Sequence, residues 1–145
     1  MRRDHQRARV YAWEDAHVAP HGQDLLPFSA AQPMVEAIWA EMGLRYPPAV
    51  EPLPPQSRRV QADANRLRLR LPPQWPSWLL LHELAHAMTS THDGASDGHG
   101  PRFMGLYLQL LERYLRLPAS ALAPSLAEAG IVWDPAARPI FLDPA

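Results

Sequence analysis

The feature that most constrains this chain is the sequence His-Glu-Leu-Ala-His at residues 82–86. It lies in an apolar run, residues 78–88, that contains no Gly or Pro, so an α-helix is predicted there. Residues four apart on a helix point the same way, so the imidazoles of His82 and His86 share one face. Two neutral imidazoles at this spacing favour a divalent metal ion, usually zinc. Glu83 lies beside them and can act as general base, a role that would explain a charged residue in the middle of a buried helix.

A third metal ligand is predicted at His99, in the sequence Asp-Gly-His-Gly-Pro-Arg-Phe. A catalytic zinc ion takes three protein ligands and keeps one position for water. The flanking glycines allow a tight bend, and Pro101 favours the first turn of a helix, so His99 is expected just before a second helix. Asp93 and Asp97 are the carboxylate alternatives for the third ligand, whereas His92 is interpreted as an ordinary loop histidine.

The two motifs together, His-Glu-Leu-Ala-His-Ala-Met and His-Gly-Pro-Arg-Phe, resemble the SprT-like metalloprotease domain, a family that includes the Spartan proteases of DNA–protein crosslinks. They are more similar still to small single-domain bacterial metallohydrolases that share both motifs. The resemblance covers residues 78–114. It implies zinc ligands at His82, His86 and His99, with Glu83 as the catalytic acid and base. Family members often carry a cysteine zinc ribbon or a DNA-binding tail, whereas this chain has no Cys.

Composition limits the other function classes. A length of 145 residues predicts one domain, residues 1–145. The net charge of −1 gives no overall attraction to nucleic acid or to a membrane, so DNA is not favoured as a partner. Without cysteine, a metal ion must be held by histidines and carboxylates. There is no signal-peptide pattern and no apolar run that could cross a bilayer, so a cytoplasmic protein is expected.

The predicted helix at residues 78–88 is called the metal helix below. Before it, the sequence pattern clearly predicts one further helix. Residues 1–9 are polar and expected to be frayed or on the surface. Residues 10–13 fit either a short strand or the start of a helix. Pro33 and Gly43 bracket a predicted helix, and prolines at 47–55 predict a stiff, extended connector. The buried stripe of that helix is Met34, Val35, Ile38, Trp39 and Met42.

Residues 57–71 are predicted to form a β-hairpin that turns at Ala64-Asn65 or at the three residues Asp63-Ala64-Asn65. In its second arm, leucines should face the metal helix and arginines the other side. The arm consists of Arg66, Leu67, Arg68, Leu69, Arg70 and Leu71. The family resemblance implies that this arm is an open edge that binds a peptide substrate through its main chain. The arginine row is interpreted as a solvated face, with a phosphate or acidic-substrate contact as the alternative.

The residues around the second helix offer two further candidates for the site. Ser77 is predicted as the N-cap of the metal helix. Tyr107 could donate a hydrogen bond to a developing oxyanion, or it is simply a packed aromatic residue. Arg102 is a second candidate for a substrate or oxyanion contact. The predicted apolar stripe is Phe103, Leu106, Tyr107, Leu110, Leu111 and Tyr114.

The sequence therefore predicts an α+β, zincin-like domain in which a small, mostly antiparallel sheet packs on the metal helix and the helix after it. Residues 119–129 should form a short helix broken at Pro124, and residues 131–145 a docked tail. The predicted function is peptide hydrolysis with one zinc ion per chain, acting on a peptide or protein. The alternatives are a hydrolase of another amide or ester, a Spartan-like crosslink protease, and a non-catalytic module stabilised by zinc.

Overall fold

The computed structural model describes residues 4–54 and 62–140, and these form a mixed α+β structure, as predicted. The helices are α1 (Arg7–His17), α2 (Ala31–Glu41), α3 (Ser77–Met88), α4 (Pro101–Leu115) and α5 (Ala119–Glu128). The strands are β1 (Leu25–Pro27), β2 (Ala49–Pro52), β3 (Asp63–Ala64), β4 (Arg68–Leu71) and β5 (Gln74–Pro76). Short 3-10 turns lie at Ala19–His21 and Phe28–Ala30. None of the helices in the described ranges is long and apolar enough to cross a membrane.

The strands form two small sheets rather than one. Strands β1 and β5 pair antiparallel, with Leu25 opposite Pro76. The other sheet has the order β2-β4-β3, in which β4 is parallel to β2 and antiparallel to β3. Helix α3 contacts both sheets, so the metal helix lies on strands as expected.

Strand β2 lies inside the segment predicted to be a proline-rich connector. Ala49 and Leu53 donate main-chain hydrogen bonds to carbonyls of the predicted hairpin arm, at 3.0 and 3.1 Å. Val50 has the opposite orientation in the strand, and its main-chain N–H donates instead to the side-chain oxygen of Gln32, at 2.7 Å. Pro48 and Pro52 have the same orientation in the strand as Val50, so the N–H group that proline lacks would have pointed away from β4 at both positions. The prolines are therefore compatible with a paired strand.

The hairpin turns later than predicted. Asn65 Oδ1 accepts hydrogen bonds from the N–H groups of Leu67 and Arg68, both at 2.9 Å, so the turn extends through residues 65–67. The predicted alternation holds only for β4, where both leucines are buried. In the turn it is reversed, since Leu67 is 58% exposed and Arg66 only 3%. The first arm before residue 62 lies outside the described residues.

Arg66 is buried because the fold provides partners for its guanidinium group. That group lies 5.0 Å from the ring centroid of Trp39 and donates a 2.9 Å hydrogen bond to the carbonyl of Tyr46. A planar cation of this kind can be buried between an aromatic ring and main-chain oxygens. Arg66 is therefore a packing residue, not a member of a solvated arginine row.

The prediction of an open substrate edge at Arg66–Arg70 was wrong. Strand β4 is the central strand, with β2 hydrogen-bonded on one side and β3 on the other. Its main-chain groups are thus already paired. The strand that immediately precedes the metal helix is β5, and it pairs with β1.

Of the segment predicted to be frayed or on the surface, residues 4–9 lead into α1 and are exposed except for Gln6, and residues 1–3 lie outside the described part. Residues 10–13 belong to α1, which settles the choice between strand and helix. The buried amide of Gln6 donates to the carbonyls of His99 and Val132, each at 3.0 Å, and accepts from the N–H of Val132 at 2.6 Å. These bonds join the start of the chain to the loop before α4 and to the C-terminal segment.

The helices around the site follow the predicted pattern with two corrections. Ser77 is the first residue of α3 and makes no capping hydrogen bond, because Pro76 occupies the N-cap position. Helix α5 continues through Pro124. The carbonyl that this proline leaves without a helical donor belongs to Ser120, which is exposed to solvent.

Helices α3 and α4 pack closely, and the C-terminal segment docks on both. The main-chain N–H of Asp134 donates to the Pro101 carbonyl and that of Ile140 to the Met88 carbonyl, at 3.0 and 3.1 Å. Gly105 of α4 allows this approach, since a Cβ there would lie 2.0 Å from the carbonyl oxygen of Asp134. These contacts attach residues 131–140 to the two helices, and 141–145 lie outside the described residues.

Candidate metal centre

Three histidines bring their Nε2 atoms together in a nearly equilateral triangle. The Nε2 of His86 lies 3.2 Å from that of His82 and 3.2 Å from that of His99, and the third side is 3.3 Å. These three residues form a group that could hold a metal ion. His82 and His99 are buried, and His86 is partly exposed.

The size and chemistry of this triangle fit a tetrahedral zinc ion. Nitrogen ligands about 2.0–2.1 Å from such an ion lie about 3.3–3.4 Å from one another, close to the observed separations. All three donors are imidazoles, which suit zinc and other late first-row divalent metals better than they suit calcium or magnesium. Three protein ligands leave one position of a tetrahedron for water or substrate.

Local sequence explains how two different elements supply these ligands. The i, i+4 spacing on α3 stacks His82 over His86. Gly98 has φ +63°, a left-handed conformation that L-residues rarely adopt, and it turns the chain so that His99 faces α3. Gly100 is then the N-cap residue of α4.

The alternative ligands are not part of the cluster. Asp97 serves α4 instead, since its carboxylate accepts hydrogen bonds from the N–H groups of Arg102 and Phe103, at 2.8 and 3.3 Å. Asp93 and His92 are both exposed in the loop after α3. The predicted preference for His99 is thus matched by the geometry.

Two carboxylates from the N-terminal segment contact the far nitrogens of the ligands. The Oε2 atom of Glu14 lies 2.5 Å from Nδ1 of His82, and the Oδ2 atom of Asp4 lies 2.6 Å from Nδ1 of His99. Oδ2 of Asp4 also accepts the main-chain N–H of His99 at 3.1 Å. The sequence prediction missed both residues. For Glu14 a signal was available, because this acidic residue lies one turn after Val10, on the buried face of α1.

Phe103 forms the apolar floor of the centre. Its ring centroid lies 4.3 Å from that of His86, in a stacked arrangement, and 5.0–5.1 Å from those of His99 and His82. An aromatic ring against all three imidazoles limits their rotation and excludes water from that side. Phe103 was predicted only as a core residue of α4.

Of the two additional site candidates, Tyr107 is the packed aromatic residue of its second interpretation, and Arg102 lies outside the histidine cluster. Tyr107 is fully buried, and its hydroxyl donates a 2.5 Å hydrogen bond to Oε2 of Glu14. Its hydroxyl hydrogen is thus already used in a hydrogen bond within the protein. Arg102 is exposed at the start of α4, outside the histidine cluster.

Tyr11 is the phenol that lies beside the ligands and is open to solvent. Its ring is parallel to that of His82 within 10° at a centroid distance of 6.0 Å, and it meets the ring of His99 edge-on at 5.0 Å. The residue is 39% exposed, and the guanidinium of Arg7 lies 5.6 Å above the ring. Nothing in the local sequence around Tyr11 distinguishes it from an ordinary surface residue.

Glu83 lies beside the ligands on α3 and is 4% exposed. Among the described residues its carboxylate makes no hydrogen bond or ion pair. Burial raises the pKa of Glu83 well above its ordinary value, and the nearby carboxyl groups of Glu14 and Asp63 raise it further. A buried carboxyl without a local partner is expensive to maintain and is typical of a functional site.

Burial also favours the uncharged forms of the groups around it. It lowers the pKa of His82 to about 3 and that of His86 well below its ordinary value. It raises the pKa of Glu14 to about 8, although the hydrogen bond from Tyr107 acts in the opposite direction. The neutral imidazole is the form that binds a metal ion, so His82 and His86 are ready for ligation at neutral pH.

Comparison of the chain with protein-family models, with curated proteins and with solved structures gave no match. The case for a function therefore depends on the geometry of the site and on the motifs in the sequence.

Proposed function

We propose that this protein is a zinc-dependent metallopeptidase. The observation that carries the proposal is the convergence of three Nε2 atoms, 3.2–3.3 Å apart, next to a buried glutamate on the same helix. His82, His86 and His99 would hold the ion. When bound there, zinc lowers the pKa of a water molecule towards about 7 and polarises a carbonyl group.

Glu83 supplies the proton transfers. Its carboxylate accepts a proton from the attacking water and delivers it to the nitrogen of the leaving amine. The apolar floor formed by Phe103 keeps water away from the back of the histidines and strengthens electrostatic interactions inside the site. Tyr11, at the exposed side of His82 and His99, is the group we assign to contact with the substrate carbonyl.

Support for a peptide substrate comes from the two sequence motifs that resemble the SprT-like domain. Further support comes from the arrangement of the candidate ligands: two lie on a helix that contacts strands, and the third lies in the segment that follows it. Hydrolysis of another amide or an ester uses the same groups, so it is the closest alternative. A non-catalytic zinc module is disfavoured because such a site has no need of the buried carboxyl of Glu83.

The arginines of β4 do not support a role in DNA–protein crosslink repair. Arg70 pairs with Asp63 at 2.5 Å, through two hydrogen bonds, and Arg68 lies 3.5 Å from Glu51. Charges that are already paired with carboxylates are weak contacts for phosphate, and Arg66 is buried. We therefore favour peptide hydrolysis that does not need DNA.

The test combines metal analysis with a peptide-library digest. We expect one zinc ion per purified chain, and cleavage that is lost on chelation and restored by added zinc. Zinc binding without hydrolysis of any peptide, but with hydrolysis of ester or other amide substrates, would favour the closest alternative. A protein that holds no divalent metal would overturn the proposal.

A further inference from the structure

We propose that Glu14 and Asp4 are positioning residues of the metal centre, which makes the N-terminal segment a functional part of the site. The inference rests on the proposed zinc centre and extends it beyond the two sequence motifs. It assigns to each carboxylate one ligand whose orientation and basicity it sets: His82 for Glu14, and His99 for Asp4.

Glu14 is placed to orient His82. With Nε2 of His82 turned towards the other two ligands, the hydrogen is carried by Nδ1, which donates to Oε2 of Glu14 over 2.5 Å. Tyr107 donates to the same oxygen, also over 2.5 Å, and so holds the carboxylate in place. Glu14 is 3% exposed, and no arginine pairs with it among the described residues. One carboxylate therefore ties α1, α3 and α4 together at the metal centre.

Asp4 orients His99 in a second and independent way. Its Oδ2 atom accepts both the Nδ1–H and the main-chain N–H of His99, at 2.6 and 3.1 Å. The two bonds fix the ring relative to its own backbone. The amide of Gln6 binds the carbonyl of the same residue at 3.0 Å, so the segment before α1 contacts His99 through three hydrogen bonds.

The third ligand provides an internal contrast. His86 contacts the other two histidines through Nε2, but no carboxylate within the described ranges contacts its Nδ1 atom. Its ring is held by stacking on Phe103 instead. A carboxylate that accepts a hydrogen bond from a metal-bound imidazole fixes its tautomer and raises its basicity. The contributions of Glu14 and Asp4 to metal affinity should therefore be separate from the packing that holds His86.

The experiment measures zinc affinity, which does not depend on knowing the substrate. Glu14→Gln and Asp4→Asn keep the shape of each side chain and replace its carboxyl group with an amide. The matched controls are Asp15→Asn, on the exposed side of α1, and Asp24→Asn, in an exposed loop. Zinc dissociation constants are measured by competition with a chelator, and cobalt is substituted for zinc so that its visible absorption reports ligand geometry.

We expect the zinc Kd to rise by about 10–100-fold in Glu14→Gln and in Asp4→Asn, and to stay within about twofold in the controls. The cobalt spectrum should change in the first two variants only. Because the two carboxylates act on different ligands, the double variant should lose about the product of the two effects, roughly 10²–10⁴-fold.

Tyr107→Phe separates positioning from simple packing. It removes a hydrogen bond to Glu14 but leaves the contact between Glu14 and His82. Its melting temperature should therefore fall, while its zinc Kd should rise less than that of Glu14→Gln. If Glu14→Gln does not fold, Asp4→Asn still decides the proposal, because Asp4 is an exposed residue before the first helix.

Unchanged zinc affinity and an unchanged cobalt spectrum in both carboxylate variants would overturn the positioning role, even if the wild type proves to be a peptidase. The opposite result is also distinguishable. Loss of zinc affinity in these variants, in a protein that cleaves no peptide, would support the positioning role and refute the proposed peptidase function.

Discussion

Replacement of Glu83 by Gln should separate activity from stability in this protein. The change keeps the shape of the side chain and removes the one carboxylate that lies next to the metal ligands on α3. Glu83 is 4% exposed and has no hydrogen-bond partner among the described residues, and its burial already disfavours the charged form. A neutral amide is cheaper to bury there than a carboxylate. The variant should therefore be at least as stable as the wild type.

The catalytic activity of Glu83→Gln, in contrast, should fall strongly. General acid–base catalysis by a single side chain contributes about 10²–10⁴-fold, which corresponds to roughly 2.7–5.4 kcal/mol of activation free energy at about 1.36 kcal/mol per factor of ten. Because Gln cannot accept the proton of the attacking water, kcat should fall by that factor. Zinc content should stay at the wild-type level, since the three imidazoles are unchanged.

The assay compares the wild type, Glu83→Gln and the control Glu36→Gln, which alters an exposed glutamate on α2. Each protein is analysed for zinc, for peptide hydrolysis and for urea-induced unfolding. Wild-type turnover in Glu83→Gln would refute the assignment of Glu83 as general base. Loss of zinc together with activity would show instead that Glu83 is a ligand or a structural partner of the site.

The remaining predictions concern the third ligand, the substrate contact, DNA and the C-terminal segment. His99→Ala should lose most of its bound zinc while His92→Ala keeps it, and equal zinc content in the two would remove His99 from the site. Tyr11→Phe should keep zinc and lower kcat by about tenfold, as expected for one lost hydrogen bond in the transition state; unchanged kinetics would refute a hydroxyl contact. Single-stranded DNA should leave the cleavage rate of a test protein unchanged at low and moderate salt, whereas strong stimulation that depends on the β4 arginines would favour the repair function. Gly105→Ala should lower the free energy of unfolding by about 1–3 kcal/mol or more, because its Cβ would overlap the docked tail; wild-type stability in denaturant titration would contradict this.

The sequence alone determined the parts of the site that depend on neighbours along the chain. The metal helix follows from an uninterrupted apolar run, and the shared face of His82 and His86 follows from helical geometry. The placement of His99 follows from the glycines and the proline around it, which fix a bend and a helix start within a few residues. Such features need no knowledge of the rest of the fold, so local rules were sufficient for them.

Tertiary structure decided which distant residues complete the site. Glu14 and His82 are 68 positions apart in sequence, and Asp4 and His99 are 95 positions apart, so no local pattern relates them. The same is true of β4, whose strict alternation of arginine and leucine predicted a half-buried strand but not that β2 and β3 would cover both of its edges. A strand's alternation is set by which face is buried, whereas its partners are set by how the whole chain packs. The histidines could therefore be read from the sequence, while the carboxylates that hold them could be found only in the folded molecule.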